Sequence, residues 1–472
     1  MNTTPSNTST SKTNDSIQCK LADLETMSVG RLLWRYSLPA VTGMVVVSLY
    51  NVIDRIFIGQ GVGPEAISGL AITFPVMNLA TAFGVLIGAG ASARISIMLG
   101  AKRLDRAQLI LGNALTLTLL IATIYVCCFG IFLKDILVAF GASAQTLPYA
   151  YDFMLYLIPG LLLTNLTFSF NNIQRASGYP RRAMITMLLS ALANLILAPI
   201  FIFWLDLGIK GAAIATDLSM LGAMVFVMLH FVDKRSTVHF RRGTFHLDRS
   251  VVVSIISIGA APALVNAAAC LINFLINAEL VKRGGDMAVG AAGIFSTVTQ
   301  LVVMVVLGIC QGMQPIVGYN YGAGKLHRLK HTYWLAVGAS TALCVLGSAV
   351  GLLFPGLIAR VFTVDTELIQ VTANALSHAL LAFSLAGFQI VSTNFFQSIG
   401  QVGKSIFLGL SRQVIFLIPM LLTLPSLWGL NGVWLSFPMS DISATVITAI
   451  FIIVQFRTLD RANNDNNMTA RP

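Results

Sequence analysis

The stretch Gly90-Ala91-Ser92-Ala93-Arg94-Ile95-Ser96-Ile97-Met98-Leu99-Gly100-Ala101-Lys102-Arg103-Leu104-Asp105-Arg106 aligns with Gly312-Met313-Gln314-Pro315-Ile316-Val317-Gly318-Tyr319-Asn320-Tyr321-Gly322-Ala323-Gly324-Lys325-Leu326-His327-Arg328, 222 residues further along. Asn172 and Gly178 match Asn394 and Gly400 at the same offset. Phe140 matches Phe362, Pro39 matches Pro262, and Gly208 and Gly211 match Gly429 and Gly432. Each match is weak alone. An ordered series at near-constant spacing, running from one end of each half to the other, points to a duplicated unit. Two similar membrane bundles with a path between them are a usual build of secondary transporters.

The surroundings of the repeat set its solvent. Of 472 residues, 56% are hydrophobic and 10% charged, and mean hydropathy is +0.80. A soluble domain carries about 25% charged residues, so this composition cannot cover a water-facing surface. Apolar stretches long enough to cross about 30 Å of hydrocarbon recur near 33–59, 66–98, 107–132, 147–173, 183–204, 210–232, 250–278, 288–318, 332–355, 369–396, 405–427 and 430–456. They are too long for barrel strands of about 10 residues. The expected fold is an all-α polytopic membrane protein, with twelve transmembrane helices in two pseudo-symmetric six-helix lobes. The expected organisation is a polar tail at 1–30, a first lobe at 31–232 (helices 1–6), a charged linker at 233–249, a second lobe at 250–456 (helices 7–12), and a tail at 457–472. An even number of helices per lobe gives both copies the same orientation, so their symmetry axis should lie along the membrane normal.

The net charge of +11 raises the question of nucleic acid, and its placement answers it. One set of loops carries Lys102, Arg103 and Arg106; Arg175, Arg181 and Arg182; Lys234, Arg235, Arg241, Arg242 and Arg249; Lys325, Arg328 and Lys330; and Lys404. The alternate loops carry only Lys134, Lys210, Lys282 with Arg283, and Arg360. This is the positive-inside bias. It places both termini in the cytoplasm and makes anionic headgroups, not nucleic acid, the partner of the excess charge. The six cysteines show no metal spacing, and packing accounts for them.

Enzyme signatures are missing. Gly403-Lys404-Ser405 resembles the end of a phosphate-binding loop, but Ser398 stands where its first glycine belongs. No metal and no cofactor is expected. Without an ATP site, transport must use an ion gradient or run downhill. His378 lies within a span and reads as a hydrogen-bonded structural residue.

An acid inside a bilayer costs about 2.5–3.5 kcal/mol and is a functional candidate by default. Asp54 lies late in helix 1, Asp217 in helix 6 and Asp441 in helix 12. A buried carboxylate takes a proton readily, because desolvation disfavours its charge. Asp54 reads as an ion-coupling group. For Asp217 and Asp441 a helix-packing hydrogen bond competes equally. Pro39 removes one hydrogen bond from helix 1 and reads as a hinge or a fixed kink.

At these motifs a family becomes recognisable. Leu38-Pro39, Tyr50-Asn51-Val52-Ile53-Asp54-Arg55-Ile56-Phe57-Ile58-Gly59, Gln311-Gly312-Met313-Gln314-Pro315-Ile316-Val317-Gly318-Tyr319-Asn320-Tyr321-Gly322-Ala323 and Gly208-Ile209-Lys210-Gly211-Ala212-Ala213-Ile214-Ala215-Thr216 resemble the multidrug and toxic compound extrusion (MATE) family, closest to its bacterial MepA-like branch. The resemblance covers about 31–456. It implies a V-shaped cavity and export of drugs or organic cations in exchange for H+ or Na+, from the bacterial plasma (inner) membrane. It also implies that Asp54 is the first-lobe coupling acid, Pro39 the bend proline, and Asn194 and Thr216 members of the cation site. Where the family has a second acid in helix 5, this chain has Ala198. The second-lobe acids of another branch are also missing, near Cys270 and Gly387. One carboxylate with Asn and Thr favours H+ over Na+. Asp217, beside Thr216, is a candidate to replace the lost acid, although adjacent helical side chains diverge by about 100°.

The expected function is therefore multidrug antiport by alternating access, with antibiotic resistance as its consequence and a monomer as its form. Tyr50, Asn51, Asn277 and Gln389 are candidate polar contacts in the substrate cavity. The alternatives are a flippase for lipid-linked precursors, which would want a strongly basic central cavity, and a non-transporting scaffold, which would not need Asp54.

Overall fold

The computed structural model describes residues 23–62, 64–140, 142 and 145–469. In hydrocarbon every backbone N–H and C=O must find a partner within the chain, so an apolar segment of span length becomes a helix. The first lobe is α1 (Val29–Gly61), α2 (Pro64–Gly100), α3 (Leu104–Ala139), α4 (Leu147–Ala176), α5 (Pro180–Pro199) and α6 (Gly208–Val232). A wide helical turn, Ile200–Trp204, follows α5. The second lobe is α7 (Arg249–Gly322), α8 (Leu326–Leu353), α9 (Pro355–Phe362), α10 (Thr366–Ala379), α11 (Ala386–Ser398), α12 (Val402–Leu410) and α13 (Ile418–Thr469), with a second wide turn, Ser411–Leu417, between the last two.

Two of these elements each contain two spans. Gly285 breaks α7 with φ 59°, between the expected spans 250–278 and 288–318. Gly429 breaks α13 with φ 57°. Only glycine takes this backbone conformation without strain. Among the described residues, nine helical stretches are long and apolar enough to cross a membrane, and ten if α10 and α11 form one span bent by 54°. Counting the two spans on either side of Gly285 and of Gly429 gives the twelve expected. The bend between α10 and α11 has no proline to announce it. The polar tail is described as far as Thr469. It continues α13 to Thr469, because neither Gly nor Pro interrupts 458–469.

The repeat is visible in backbone geometry. Gly178 and Gly400 both have positive φ, as do Gly208 and Gly429. A Cβ on Gly211 would strike the carbonyl of Phe201, and one on Gly432 would strike that of Leu424. The lobes meet along α2 and the second half of α7. There, Gln314 Nε2 donates to Ser92 Oγ at 3.1 Å, and Gly318 abuts Ser96. Each of these pairs is 222 residues apart, so the same repeat position touches itself across the pseudo-two-fold axis. Beside them Gly100 abuts the Tyr319 carbonyl and Gly322 the Ile97 carbonyl, which is one contact made twice. Gly90 packs on Ile255, and its equivalent Gly312 on Ser37. All of these contacts fall in the half of the bundle nearest the basic loops.

The linker is held at that basic end. Asp248 caps α7 by accepting from Ser250 N and Val251 N. Asn113 and Thr116 of α3 hold Thr244, Phe245 and Asp248, and Arg241 pairs with Asp105 at 2.9 Å.

Candidate functional site

Four helices of the first lobe, α1, α4, α5 and α6, close around a small, mainly apolar cavity of about 40 Å³ lined by Val47, Tyr50, Thr167, Phe168, Asn171, Thr186, Met187, Ser190 and Met220. That volume exceeds the minimum for a water molecule. Gly43 lets α1 approach Met187 of α5 closely. Ser190 Oγ donates to Met220 Sδ at 3.5 Å, Asn171 Nδ2 to the Ala183 carbonyl at 2.7 Å, and Thr186 Oγ1 to Gln174 Oε1 at 3.3 Å.

This cavity fixes the level of the candidate residues. Asp54, Asn194 and Thr216 each lie four residues from a lining residue (Tyr50, Ser190 and Met220 respectively), which is about 6 Å along a helix. Helix α6 runs opposite to α1 and α5, so all three displacements point the same way, away from the basic end. The three side chains therefore occupy one layer, a turn beyond the cavity. Asn194 Nδ2 donates to Thr216 Oγ1 at 3.1 Å, and Thr216 Oγ1 donates to the Ala212 carbonyl at 3.0 Å. Asn194 is buried and Ala198 fully so. Asp54 is half-buried, within electrostatic reach of the Tyr50 hydroxyl on the same helix face.

The other candidates are dispersed. Asp217 points at α4: its carboxylate occupies the space a Cβ on Gly160 would take and lies against the Gly160 backbone amide, beside Pro159. It does not join Asn194 and Thr216, as the 100° divergence of neighbouring side chains requires. Gln389 is buried and donates to the Leu408 carbonyl at 2.9 Å, so it ties α11 to α12. Asn277 is exposed. The side chain of Asn51 lies outside the described residues. α1 continues unbroken through Pro39, and Thr42 Oγ1 donates to the Leu38 carbonyl at 2.9 Å. His378 Nδ1 lies 2.8 Å from the Asn374 carbonyl.

Two arginines escaped the sequence reading as partners inside the bundle. Arg175, counted there as a loop charge, is 4% exposed at the end of α4. It reaches Asn172 Oδ1 at 2.6 Å and crosses to Gln311 Oε1 in the other lobe. Arg412, inside the span 405–427, pairs with Asp441 at 2.6 Å. A lone arginine in an apolar stretch was the available signal.

Comparison with known proteins decides the family. The MatE family model matches residues 39–200 and again 262–422, one match per lobe. The chain belongs to the MATE family. It is a membrane transporter, not an enzyme. It is 27% identical over 446 residues to the multidrug export protein MepA of Staphylococcus haemolyticus (strain JCSC1435), covering 93% of this chain and 97% of that protein. The corresponding protein of Staphylococcus aureus (strain MSSA476) is 26% identical over 452 residues, covering 94% and 97%. Among solved structures, a ligand complex of the MATE multidrug transporter DinF-BH is 35% identical with a TM-score of 0.84, over 91% of this chain and 96% of that one. An outward-facing multidrug resistance MATE transporter of the MOP superfamily has the same fold at TM-score 0.88 and 24% identity, over 93% and 98%.

Proposed function

We propose that this MATE transporter is a multidrug efflux antiporter that exports cationic, amphipathic compounds in exchange for H+ by alternating access. The observation that carries the reading is the layer of Asp54, Asn194 and Thr216, with Ala198 where a second acid would stand. A single carboxylate with two neutral oxygen donors takes a proton without further help. A Na+ site with a single carboxylate would be weaker than one with two. The names of the relatives, multidrug export proteins, supply the substrate class.

The sidedness follows from the charges. Basic loops face the cytoplasm, and the described lobe contacts lie at that end, so the path between the lobes opens outward in this conformation. Proton uptake by Asp54 from outside would favour the state that binds substrate less well. Its release inward would restore affinity. Coupling needs that difference in affinity between states. The chain works in the bacterial plasma membrane as a monomer.

The test is ethidium efflux from cells lacking their own pumps, expressing the chain or Asp54→Asn at matched membrane levels. Efflux that requires Asp54 and stops when the proton gradient is collapsed supports the proposal. Efflux by both forms, or efflux that follows Na+, removes it.

A further inference from the structure

At the basic end, far from the Asp54 layer, a cavity of about 150 Å³ opens between the start of α1 and the start of α5. That is about five times the volume of one water in the liquid. Its walls are Asp23, Arg35, Tyr36, Gly178, Tyr179, Pro180, Arg181 and Arg182. From Tyr36 to Asp54 is 18 residues of α1, about 27 Å, so the two sites are separate.

The walls suit an anion. Three arginines line the cavity, and its one carboxylate, Asp23, is held by Arg35 at 2.8 Å. Arg182 is fixed by His230 Nδ1 at 2.8 Å and by the Tyr179 ring, 5.5 Å from its guanidinium carbon. Arg181 has no ion-pair partner among the described residues. Pro180 opens α5 and no side chain caps it, so the amides of Arg181 and Arg182 are open donors at the positive end of a helix. Independently, Tyr36 is 4% exposed, lines the cavity, and has no hydrogen-bond partner for its hydroxyl among the described residues. A hydroxyl that opens on such a space can donate to an acceptor bound there.

We propose that this cavity binds a phosphate group, held by Arg181, Arg182, Arg35 and the Tyr36 hydroxyl, and that the group is the headgroup of an anionic phospholipid. The surface beside it favours a lipid over free phosphate. Trp34 and Leu38 on α1 are 68% and 47% exposed, and Ile185 and Leu189 on α5 are 44% and 39% exposed. Each pair is spaced by one turn. Both helices thus carry exposed apolar side chains within two turns of the cavity residues, where acyl chains can lie. A headgroup in place ties α1, which carries Asp54, to α5, which carries Asn194.

Native mass spectrometry of the purified full chain in detergent tests this, with phosphatidylglycerol and phosphatidylcholine titrated separately and inorganic phosphate as competitor. A surface arginine contributes about a fivefold factor to the affinity for anionic lipid. Arg181→Gln with Arg182→Gln is therefore expected to weaken phosphatidylglycerol binding on the order of twenty-five-fold. Tyr36→Phe, which removes one hydroxyl and keeps the packing, is expected to weaken it severalfold. Arg242→Gln, a linker charge that does not line the cavity, should change nothing. Displacement by millimolar phosphate with the same variant pattern keeps the phosphate site and names free phosphate as its occupant. Equal binding of the two lipids, or equal losses in Arg242→Gln and the cavity variants, overturns the proposal.

Discussion

Arg175 of the first lobe donates to Gln311 of the second, and the guanidinium that bridges them is buried. Its charge joins the lobes inside the bundle, and its partners are the amide oxygens of Gln311 and Asn172. Removing an acceptor from a buried charge costs more than removing the charge itself. Gln311→Leu is therefore expected to destabilise the protein by about 1.5–3 kcal/mol, and Arg175→Met by less. Thermal unfolding in detergent measures both. Cysteine-probe access to the basic end should rise in Gln311→Leu.

The glycine contacts along the pseudo-two-fold axis make a paired prediction. Gly100→Ala and Gly322→Ala each drive a methyl group into a carbonyl oxygen of the opposite lobe, which the backbones can relieve only by separating. Each should cost about 1–3 kcal/mol, and the two costs should be similar because the contacts are equivalent. Gly338, with open space around its would-be Cβ, is the control: Gly338→Ala should be neutral or stabilising in the same melts.

Arg412 and Asp441 form a pair inside the second lobe, with 24% and 4% of their side chains exposed. Asp441→Asn leaves a cation without its counter-ion and is expected to cost about 3–5 kcal/mol, whereas an apolar replacement of both partners recovers most of that loss. A double-mutant cycle on unfolding free energy, with Arg412→Met and Asp441→Leu as its arms, measures the coupling.

Glu25 pairs with Lys325 at 2.6 Å at the basic end, outside the membrane. The hydrogen bond and charge of Lys325, helped by Lys102 and Arg328, hold its carboxyl below the usual range. A depressed pKa means that the contribution is complete above the ordinary carboxylate value of about 4.3 and fades as pH falls through the folded value. Both partners are about one-third exposed, so the contribution is at most about 1 kcal/mol. Glu25→Gln should lower the melting temperature slightly at pH 7, and the difference from the parent should vanish as the pH falls through the lowered folded value.

The repeat made the fold legible, because a glycine needed for a positive φ or a close backbone approach in one lobe is needed again in the other. Gly208 and Gly429 show this, as do Gly100 and Gly322. Span counting worked because lipid leaves the backbone no alternative to a helix. The bend between α10 and α11 stayed hidden, since no Pro or Gly precedes it. At the site, Asn194 and Thr216 came only from the family resemblance, and the hydrogen bond between them belongs to the structure. The direction of Asp217 followed from helical geometry, but its partner Gly160 did not, because a residue recognised by its missing side chain leaves little trace in a pattern. Arg175 was misplaced because a charge at a helix end looks the same whether it faces water or the opposite lobe.

The central claim is that Asp54 exchanges a proton against an exported cation. The most direct measurement uses proteoliposomes with a pH dye inside, to which ethidium is added on the substrate-loading side without any Na+. Proton movement opposite to ethidium is expected, abolished by Asp54→Asn, with ethidium binding retained in that variant. Ethidium transport with no proton movement, or proton movement that persists in Asp54→Asn, would contradict it.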